Sequence, residues 1–309
     1  MVDRWLQNFI TQDSELFVKD HLGEPASSVV DWRLEISGLV TKAHSFSLLD
    51  LRNFPQTELM GFHKCAGSPI NPDRPTPHEV GNVVWKGVAL RHLIEQCHVE
   101  QGASHVWMTG ADHGSYRGTS PQYFSKDLPL SKAMSDEVIV ATEMNHKPLT
   151  KTRGGPVRLI VPGYYATNSV KWLTSIQLQA GRSTSIFATK YYNDTLPTEN
   201  GQERIVPVWG VKPDSVITSV SDNGILAGWC WGEIEIDTVE VSLDSGHSWL
   251  PATVSKRKHH SWQKFTAPLP RLTAGSYSAI ARATDTSGEL QPFSGGRNSM
   301  TVFQFHIPP

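Results

Sequence analysis

The pattern of hydrophobic and polar positions changes character near residue 205. Upstream, Leu90, Leu93, Ile94 and Cys97 follow the spacing of one helical face and predict a helix over 90–97. A hydroxyl at Ser47 before an apolar run predicts a short helix over 47–54. Two further segments show the alternation of strands. Val157, Leu159 and Val161 share one face of the first predicted strand, and the face of the second consists of Val170, Trp172, Thr174, Ile176 and Leu178. Residues 1–205 are therefore expected to form a mixed α+β domain.

Downstream, short alternating segments are separated by turns rich in glycine, aspartate and serine. Residues 238–243 alternate up to a turn at 244–246, residues 277–281 alternate up to a turn at 285–288, and 303–307 alternate at the end. This spacing predicts an immunoglobulin-like β-sandwich over residues 206–309. The stretch 193–213, with its prolines and few apolar pairs, is expected to be the connection.

Composition excludes several classes of protein. The 309 residues include 39% hydrophobic and 19% charged residues, with a formal net charge of −2. The chain therefore has no bulk attraction to nucleic acid or anionic lipid, and no run approaches the roughly 18 apolar residues of a membrane span. Three cysteines are too few for a disulfide framework, and no secretory signal is evident at the start. We expect a reduced cytoplasmic protein, or a periplasmic one if an export signal has been removed.

Cys65 is the first candidate for chemistry. Lys64 and His63 precede it and Gly67 follows it, so a bulky ligand could approach the backbone closely. A thiolate suits a soft metal such as molybdenum or copper(I), and a partly exposed, electropositive setting would keep it deprotonated. Two alternatives remain at this point. Cys65 could be an ordinary buried cysteine, or a nucleophile with His63 or His113 as its base.

The segment 163–172 is the second candidate. If Val170 and Trp172 point into the core, Ser169 and Lys171 lie on the opposite strand face, beside the loop that starts at Gly163. A hydroxyl, an ammonium and loop amides could bind a phosphate. The alternative is that Lys171 is a solvated strand residue. No glycine-rich nucleotide-binding motif occurs at a strand–helix junction.

Taken together and in this order, these segments resemble the sulfite oxidase family of molybdenum–pterin enzymes. Cys65-Ala66-Gly67 is similar to the family's "CAGN" metal-ligand motif, and Ser169-Val170-Lys171-Trp172-Leu173 to "SVKWL". The other matches cover nearly the whole chain. They are 9–21 ("ITPNELFFVRNH"), 85–90 ("W.G..L"), 143–149 ("YEMNG.PL"), 155–163 ("GFPVRLVVPG") and 241–249 ("VSLDGG.TW", from the C-terminal dimerisation domain).

The resemblance implies a molybdenum–molybdopterin cofactor and two-electron oxygen-atom transfer. Cys65 would be the thiolate ligand to molybdenum. The residues that would bind the pterin or its phosphate are His21, Ser169 and Lys171. Tyr191 or Tyr192 would help position substrate near the metal, and the sequence does not choose between these adjacent tyrosines.

The chain departs from the family where arginines hold an anionic substrate. Lys19-Asp20-His21 stands in place of "VRNH", which makes Lys19 a candidate catalytic residue at an arginine position. Ser68-Pro69-Ile70 replaces the arginines after "CAGN", and a C-terminal "WN..G" segment is shortened to 293–298. Other cations could fill the pocket, namely Arg74, His113, Arg117 or Arg297, but each is better explained as an ordinary surface residue. Sulfite is therefore the default substrate.

Two other functions follow from the same residues. A reductase of sulfoxides or other oxo-substrates would keep the cofactor and need no cationic clamp. A non-catalytic binding protein would use the immunoglobulin-like half alone. No CxxCH haem motif occurs, so an oxidase is expected to pass electrons to a separate partner, a cytochrome or another acceptor. The resemblance also implies a homodimer formed through the C-terminal sandwich.

Overall fold

The computed structural model describes residues 4–26, 31–67, 78–198, 200–294 and 296–309. Strands dominate these residues, and none of their four α-helices exceeds six residues. None of these helices is long and apolar enough to cross a membrane. The fold is thus made mostly of sheet with few helices, and the finer α+β assignment stays a prediction.

The elements are numbered here in chain order. The strands are β1 (Arg33–Gly38), β2 (His44–Ser47), β3 (Gln56–Lys64), β4 (Val80–Ala89), β5 (His105–Gly114), β6 (Gln122–Pro129), β7 (Ile139–Met144), β8 (Lys147–Pro148), β9 (Arg158–Ile160), β10 (Leu173–Gln179), β11 (Asn193–Pro197), β12 (Glu203–Pro207), β13 (Asp214–Val220), β14 (Ile225–Trp231), β15 (Ile236–Ser242), β16 (Leu250–Val254), β17 (Gln263–Pro268), β18 (Gly275–Asp285) and β19 (Phe303–Ile307). The α-helices are α1 (Leu48–Asn53), α2 (Leu90–Glu95), α3 (Leu130–Ala133) and α4 (Ile186–Thr189), and 3₁₀ turns cover Arg4–Gln7 and Ala166–Asn168.

The chain divides into two compact units. The central unit consists of Val18–Leu59 and Val84–Trp209, and the C-terminal unit consists of Met1–Phe17, Met60–Val83 and Gly210–Pro309. The chain therefore enters the C-terminal unit three times, and the segment that carries Cys65 belongs to it. The predicted domains, 1–205 and 206–309, stay predictions.

A five-stranded sheet in the order β2-β1-β10-β5-β6 organises the central unit. Only β1 and β10 run parallel, and all other neighbours are antiparallel. Ile36, Ile176 and Met108 lie side by side across three strands, and all three are fully buried. Their alternation with polar neighbours buries one face of this sheet.

The two predicted helices of the central unit are confirmed. Ser47 caps α1 through a reciprocal capping box with Asp50, which satisfies backbone donors that a helix start leaves open. The predicted apolar face is fully buried: it consists of Leu90, Leu93 and Ile94 in α2 and of Cys97 just after the helix. Beside this helix, β7 pairs with β4, β8 and β9.

The C-terminal unit contains a seven-stranded antiparallel sheet in the order β13-β14-β17-β16-β15-β18-β19. The hydroxyl of Ser215 on β13 donates to the carbonyl of Ala281 on β18, 3.2 Å away, so the path curls back and nearly closes a barrel. The strands predicted around residues 238–243, 277–281 and 303–307 are confirmed as β15, β18 and β19. The immunoglobulin-like topology stays a prediction.

The predicted connection at 193–213 is more ordered than its composition indicated. β11 and β12 form an antiparallel hairpin in which Asn193 faces Pro207 and Pro197 faces Glu203. Both prolines stand at strand ends, where a missing amide donor costs little. The prolines therefore mark the ends of two paired strands.

Candidate cofactor and active site

His21 lies among aromatic side chains in the central unit. The neighbouring ring centroids lie 5.0–5.6 Å away and belong to Tyr116, Phe124, Phe187 and Tyr192. The Nε2 atom of His21 shares a hydrogen bond with the hydroxyl of Tyr192. Burial lowers the pKa of His21 to about 4, so the imidazole is neutral at pH 7. A neutral imidazole and a phenol thus form a fixed polar pair inside an apolar shell.

The segment before Tyr192 is held by buried charges on β6. Arg182 donates to the carboxylate of Asp127, with Nε 2.9 Å from Oδ2, and to the carbonyl of Ala188 at 2.9 Å. The ammonium of Lys126 donates to the carbonyl of Phe187 at 3.0 Å, and its side chain is fully buried. Tyr192 itself has a φ of +55°, a conformation that costs a non-glycine residue energy and persists only when its surroundings impose it.

The two adjacent tyrosines have different neighbours. The ring of Tyr191 packs against Tyr116 at 5.1 Å and against Phe187 at 6.2 Å. Only the hydroxyl of Tyr192 hydrogen-bonds to His21 in the described residues. The structure thus distinguishes two tyrosines that the sequence left equivalent.

Residues 169–172 are loop, so the predicted strand face at Val170 and Trp172 is wrong. Trp172 has a φ of +49°, and β10 starts only at Leu173. Backbone hydrogen bonds from Trp172 to Gly154 and from Ala111 to Trp172 impose this bend. The alternation that suggested a strand here continues from β10 into a loop whose apolar side chains are also buried.

Ser169 is buried and fixed. Its hydroxyl oxygen accepts a hydrogen bond from the amide of Val161 at 3.1 Å. Its carbonyl accepts one from the guanidinium of Arg158 at 3.0 Å, and burial lowers the pKa of Arg158 to about 9. Ser169 therefore stabilises the loop by accepting hydrogen bonds at both its hydroxyl oxygen and its carbonyl oxygen.

Lys171 is the residue in this loop with an unsatisfied charge. Its Nζ atom is buried without a hydrogen-bond partner among the described residues and lies 4.0 Å from the centroid of the Trp172 ring. Burial lowers the pKa of Lys171 to about 8. Gly154 packs on this side chain so closely that a Cβ there would lie 2.7 Å from the Lys171 Cβ. The alternative of a solvated strand lysine is therefore wrong.

Asp112, on β5, is a candidate that the sequence reasoning missed. It is 4% exposed, its Oδ1 atom has no hydrogen-bond partner among the described residues, and burial raises its pKa to about 7. The charge of Lys171 acts on it. A signal was present, because Asp112 shares the buried alternation of Val106 and Met108. A carboxyl in phase with core residues is a candidate for function.

Cys65 follows β3 in the C-terminal unit and is half-buried. Its amide donates to the carbonyl of Glu79 at 2.8 Å, and its Sγ atom accepts a hydrogen bond from the amide of Gly67 at 3.4 Å. Burial raises the pKa of the thiol to about 11, an effect that the Glu79 carboxylate reinforces. Arg297 donates to the carbonyl of Ala66, directly after the cysteine.

The two residues before Cys65 are buried, and the charge of Lys64 lowers the pKa of the thiol less than burial raises it. Lys64 is fully buried, and its ammonium pairs with the carboxylate of Asp214 at 3.6 Å. His63 is buried and stacks on Phe17, with ring centroids 5.6 Å apart. The two residues therefore belong to the packed interior of the unit.

Two of the remaining candidate residues, Lys19 and His113, are exposed. Lys19 is exposed, and its charge reaches His21. His113 is exposed and packs against Tyr123, with ring centroids 4.6 Å apart. Arg74 and the segment Ser68-Pro69-Ile70 lie outside the described residues. The nucleophile alternative for Cys65, with His63 or His113 as its base, stays untested.

The donor set of the central unit fits an anionic organic cofactor. Molybdopterin combines a phosphate with a pterin ring that carries N–H donors. The buried ammonium of Lys171 suits the phosphate, and the buried carboxyl of Asp112 suits ring N–H groups. Both groups cost free energy while they lack a partner, so a ligand that pairs with them is favoured.

The fold and these unpartnered buried charges define a domain that binds an anionic cofactor. The family model described as "Oxidoreductase molybdopterin binding domain" matches residues 21–187, and the chain belongs to this family. The chain is thus a sulfite oxidase-like oxidoreductase, and its cofactor is molybdenum with molybdopterin. The predictions of an enzyme and of this cofactor are confirmed.

Similar proteins include both oxidases and reductases. The chain is 29% identical to inducible nitrate reductase (NADH) 2 of Glycine max over 92% of its own length and 37% of that protein. It is 27% identical to sulfite oxidase of Gallus gallus over 93% of its length and 69% of that protein. The sulfane dehydrogenase SoxCD of Paracoccus pantotrophus superposes with a TM-score of 0.81 at 27% identity, over 96% of this chain and 81% of that one. The chain spans little more than a third of the nitrate reductases that it matches.

Proposed function

We propose that the chain oxidises sulfite or a related small oxyanion. In the balanced reaction, sulfite takes an oxygen atom from water to become sulfate, and two protons and two electrons are released. The observation that carries this proposal is the guanidinium of Arg117 beside the rings of Tyr116 and Tyr191, together with the cations Lys171 and Lys19, whose charges also reach His21. Asp20 is the carboxylate that opposes them, and it has the largest effect of any single charge on that histidine. A site with this excess of positive charge favours an anion.

The cofactor and the chain would divide the work. When bound, molybdenum–molybdopterin supplies two-electron oxygen-atom transfer. We assign the Cys65 thiolate as the protein ligand to molybdenum. We assign His21, Ser169 and Lys171 to the pterin or its phosphate, and add Asp112 because its buried Oδ1 atom has no hydrogen-bond partner among the described residues.

Tyr192 is the tyrosine that we assign to the substrate. Its hydroxyl is oriented by the neutral imidazole of His21, so it has a fixed direction before the substrate binds. A preorganised hydroxyl that donates to a substrate oxygen stabilises charge at that oxygen. Lys19 is exposed and would act as a second cation.

Electrons would leave to a separate acceptor, a cytochrome or another redox protein, and the chain would act as a homodimer. The half-exposed Phe303, Phe305 and Ile307 on the edge strand β19 support pairing through the C-terminal unit, for which we keep the immunoglobulin-like assignment. A cytoplasmic location, or a periplasmic one after removal of an export signal, belongs to the same proposal.

A second candidate is the reduction of a sulfoxide or another oxo-substrate with the same cofactor. It is favoured by Asp20, an exposed carboxylate whose charge raises the pKa of His21 and opposes the neighbouring cations. A neutral substrate would not be repelled by this carboxylate.

The test starts with protein from a molybdate-supplied host. Molybdenum per chain and pterin fluorescence after oxidative release give the loading, and both are expected near one per chain. Loaded protein is then assayed for sulfite oxidation with ferricyanide as acceptor and for sulfoxide reduction with a reduced viologen dye. Turnover of sulfite alone supports the proposal. Turnover of sulfoxide alone contradicts it and supports the reductase.

A further inference from the structure

Arg117 is held over two tyrosine rings at the edge of the His21 cluster. Its guanidinium carbon lies 5.2 Å from the ring centroid of Tyr116 and 5.8 Å from that of Tyr191. Its backbone φ of +50° lies in the left-handed region, followed by Gly118 at +77°. The bend and the rings fix an otherwise exposed side chain.

Arg117 differs from two other arginines that pack on aromatic rings. Arg182 lies over Trp209 at 5.3 Å and donates to Asp127, and Arg282 lies over Trp249 at 3.9 Å and donates to Glu240. Arg117 makes no hydrogen bond or ion pair within the described part of the chain. A guanidinium whose contacts are with aromatic rings keeps its N–H donors available, and these match two oxygens of an oxyanion.

The charge of Arg117 is directed at the functional cluster. It lowers the pKa of His21, as do the charges of Lys171 and Lys19, so all three cations lie close enough to act on the ring that bonds Tyr192. Lys171 is buried under Gly154, whereas Arg117 is exposed. Arg117 and Lys19 are therefore the cations accessible to a molecule that arrives from solvent, and of these two only Arg117 offers a planar pair of donors.

We propose that Arg117 is the residue that selects an anionic substrate, through bidentate hydrogen bonds from its guanidinium to two oxygens of a small oxyanion such as sulfite. The inference rests on the proposed function, since it names the group that holds the substrate of that reaction. Tyr116 and Tyr191 are then positioning residues that orient the guanidinium. The same site gives a neutral sulfoxide no such pair of bonds.

The experiment compares Arg117→Gln and Arg117→Lys with Lys190→Gln in the cofactor-loaded full chain. Lys190 is a matched control, because its ammonium lies 5.7 Å from the same Tyr191 ring but its charge is not among those that act on His21. Two quantities are measured: KM and kcat for sulfite, and the dissociation constant of sulfate, an unreactive oxyanion, by calorimetric titration. Molybdenum and pterin content are determined for every variant.

We expect Arg117→Gln to raise the sulfite KM and the sulfate dissociation constant together, by about 10- to 100-fold, the range of a lost charge-assisted pair. We expect kcat to change less than about 3-fold. Arg117→Lys keeps the charge but loses the planar fork, so its values are expected between those of wild type and Arg117→Gln. Lys190→Gln is expected to match wild type.

Unchanged sulfate affinity in folded, loaded Arg117→Gln protein overturns the inference. Loss of molybdenum and pterin from that variant also overturns it, because Arg117 would then hold the cofactor phosphate. If wild type is loaded yet does not oxidise sulfite, the proposed function fails. The sulfate titration still decides whether Arg117 binds an oxyanion in that case.

Discussion

The imidazole of His21 and the hydroxyl of Tyr192 share a hydrogen bond across 171 positions of the chain. One partner follows an exposed N-terminal segment, and the other follows a loop held by Arg182 and Asp127. The bond joins a residue near the start of the central unit's sequence to a residue near its end. It also sets the direction of a phenol hydroxyl in an otherwise apolar cluster.

Replacing Tyr192 with phenylalanine should remove this hydroxyl without opening a cavity. We expect kcat/KM for sulfite to fall about 100-fold, the lower end of the cost of one preorganised donor. Molybdenum content should stay at the wild-type value. Tyr191→Phe is the matched control, and its kcat/KM is expected within about 3-fold of wild type. Equal losses in both variants would contradict the choice of Tyr192.

Replacing Cys65 with serine should abolish turnover, because a hard hydroxyl is a poor substitute for a soft thiolate ligand. The fold should persist, since serine is close to cysteine in size and its hydroxyl can accept the hydrogen bond that the amide of Gly67 donates to Sγ. Molybdenum per chain and the visible absorption of the purified protein provide the measurement. Cys97→Ala is the control: it removes a fully buried thiol far along the sequence and should leave the metal in place. Full turnover in Cys65→Ser protein would exclude the ligand assignment.

The parts of the fold that depend on local patterns were predictable. The face of α2 and the cap at Ser47 follow from neighbours within seven residues. The strand face at Val170 and Trp172 failed, since the bend at Trp172 is imposed by Gly154 and Ala111, which are remote in sequence. Alternation records which side chains are buried, and it does not record where a strand ends.

The candidate site was predictable in its residue types and not in its pairings. Family-like motifs drew attention to His21 and Lys171, but nothing local chooses Tyr192 over Tyr191. Asp112 lies in phase with core residues, but a single carboxylate in a strand is usually solvated, so the sequence pattern alone does not single it out. The buried pair of Lys64 with Asp214 joins residues 150 positions apart, so the setting of Cys65 could not be read from its neighbours.

Replacing Asp112 with asparagine should stabilise the cofactor-free protein at neutral and higher pH. The folded-state pKa of about 7 lies above the ordinary value of 3.8, so the folded state holds the proton more tightly. The free energy of unfolding of wild type should therefore fall as pH rises from about 4 to 7, by an amount on the order of 4 kcal/mol at most. Asparagine does not titrate, so the variant should lose less over this window.

Urea denaturation of both proteins at pH 5, 6, 7 and 8 measures this difference. His21 has a lowered pKa and contributes the opposite trend below pH 6.5, but it does so equally in both proteins and cancels in the comparison. Parallel curves for wild type and Asp112→Asn would show that this carboxyl is solvated. In the loaded enzyme, we expect the same substitution to reduce pterin content, since the carboxyl then has a partner.

Replacing Lys64 with methionine should destabilise the chain by about 3–5 kcal/mol, because it leaves Asp214 buried without its cation. Asp214 keeps hydrogen bonds from the Ser215 amide at 2.9 Å and from the Gln291 amide group at 3.3 Å, and these alone do not balance a buried charge. The double variant Lys64→Met/Asp214→Asn removes both charges and should recover part of the loss. Urea unfolding of the single and double variants gives the coupling energy. A coupling energy above about 1 kcal/mol would show that Lys64 and Asp214 stabilise the fold as a pair. Additive effects of the two substitutions would contradict this prediction.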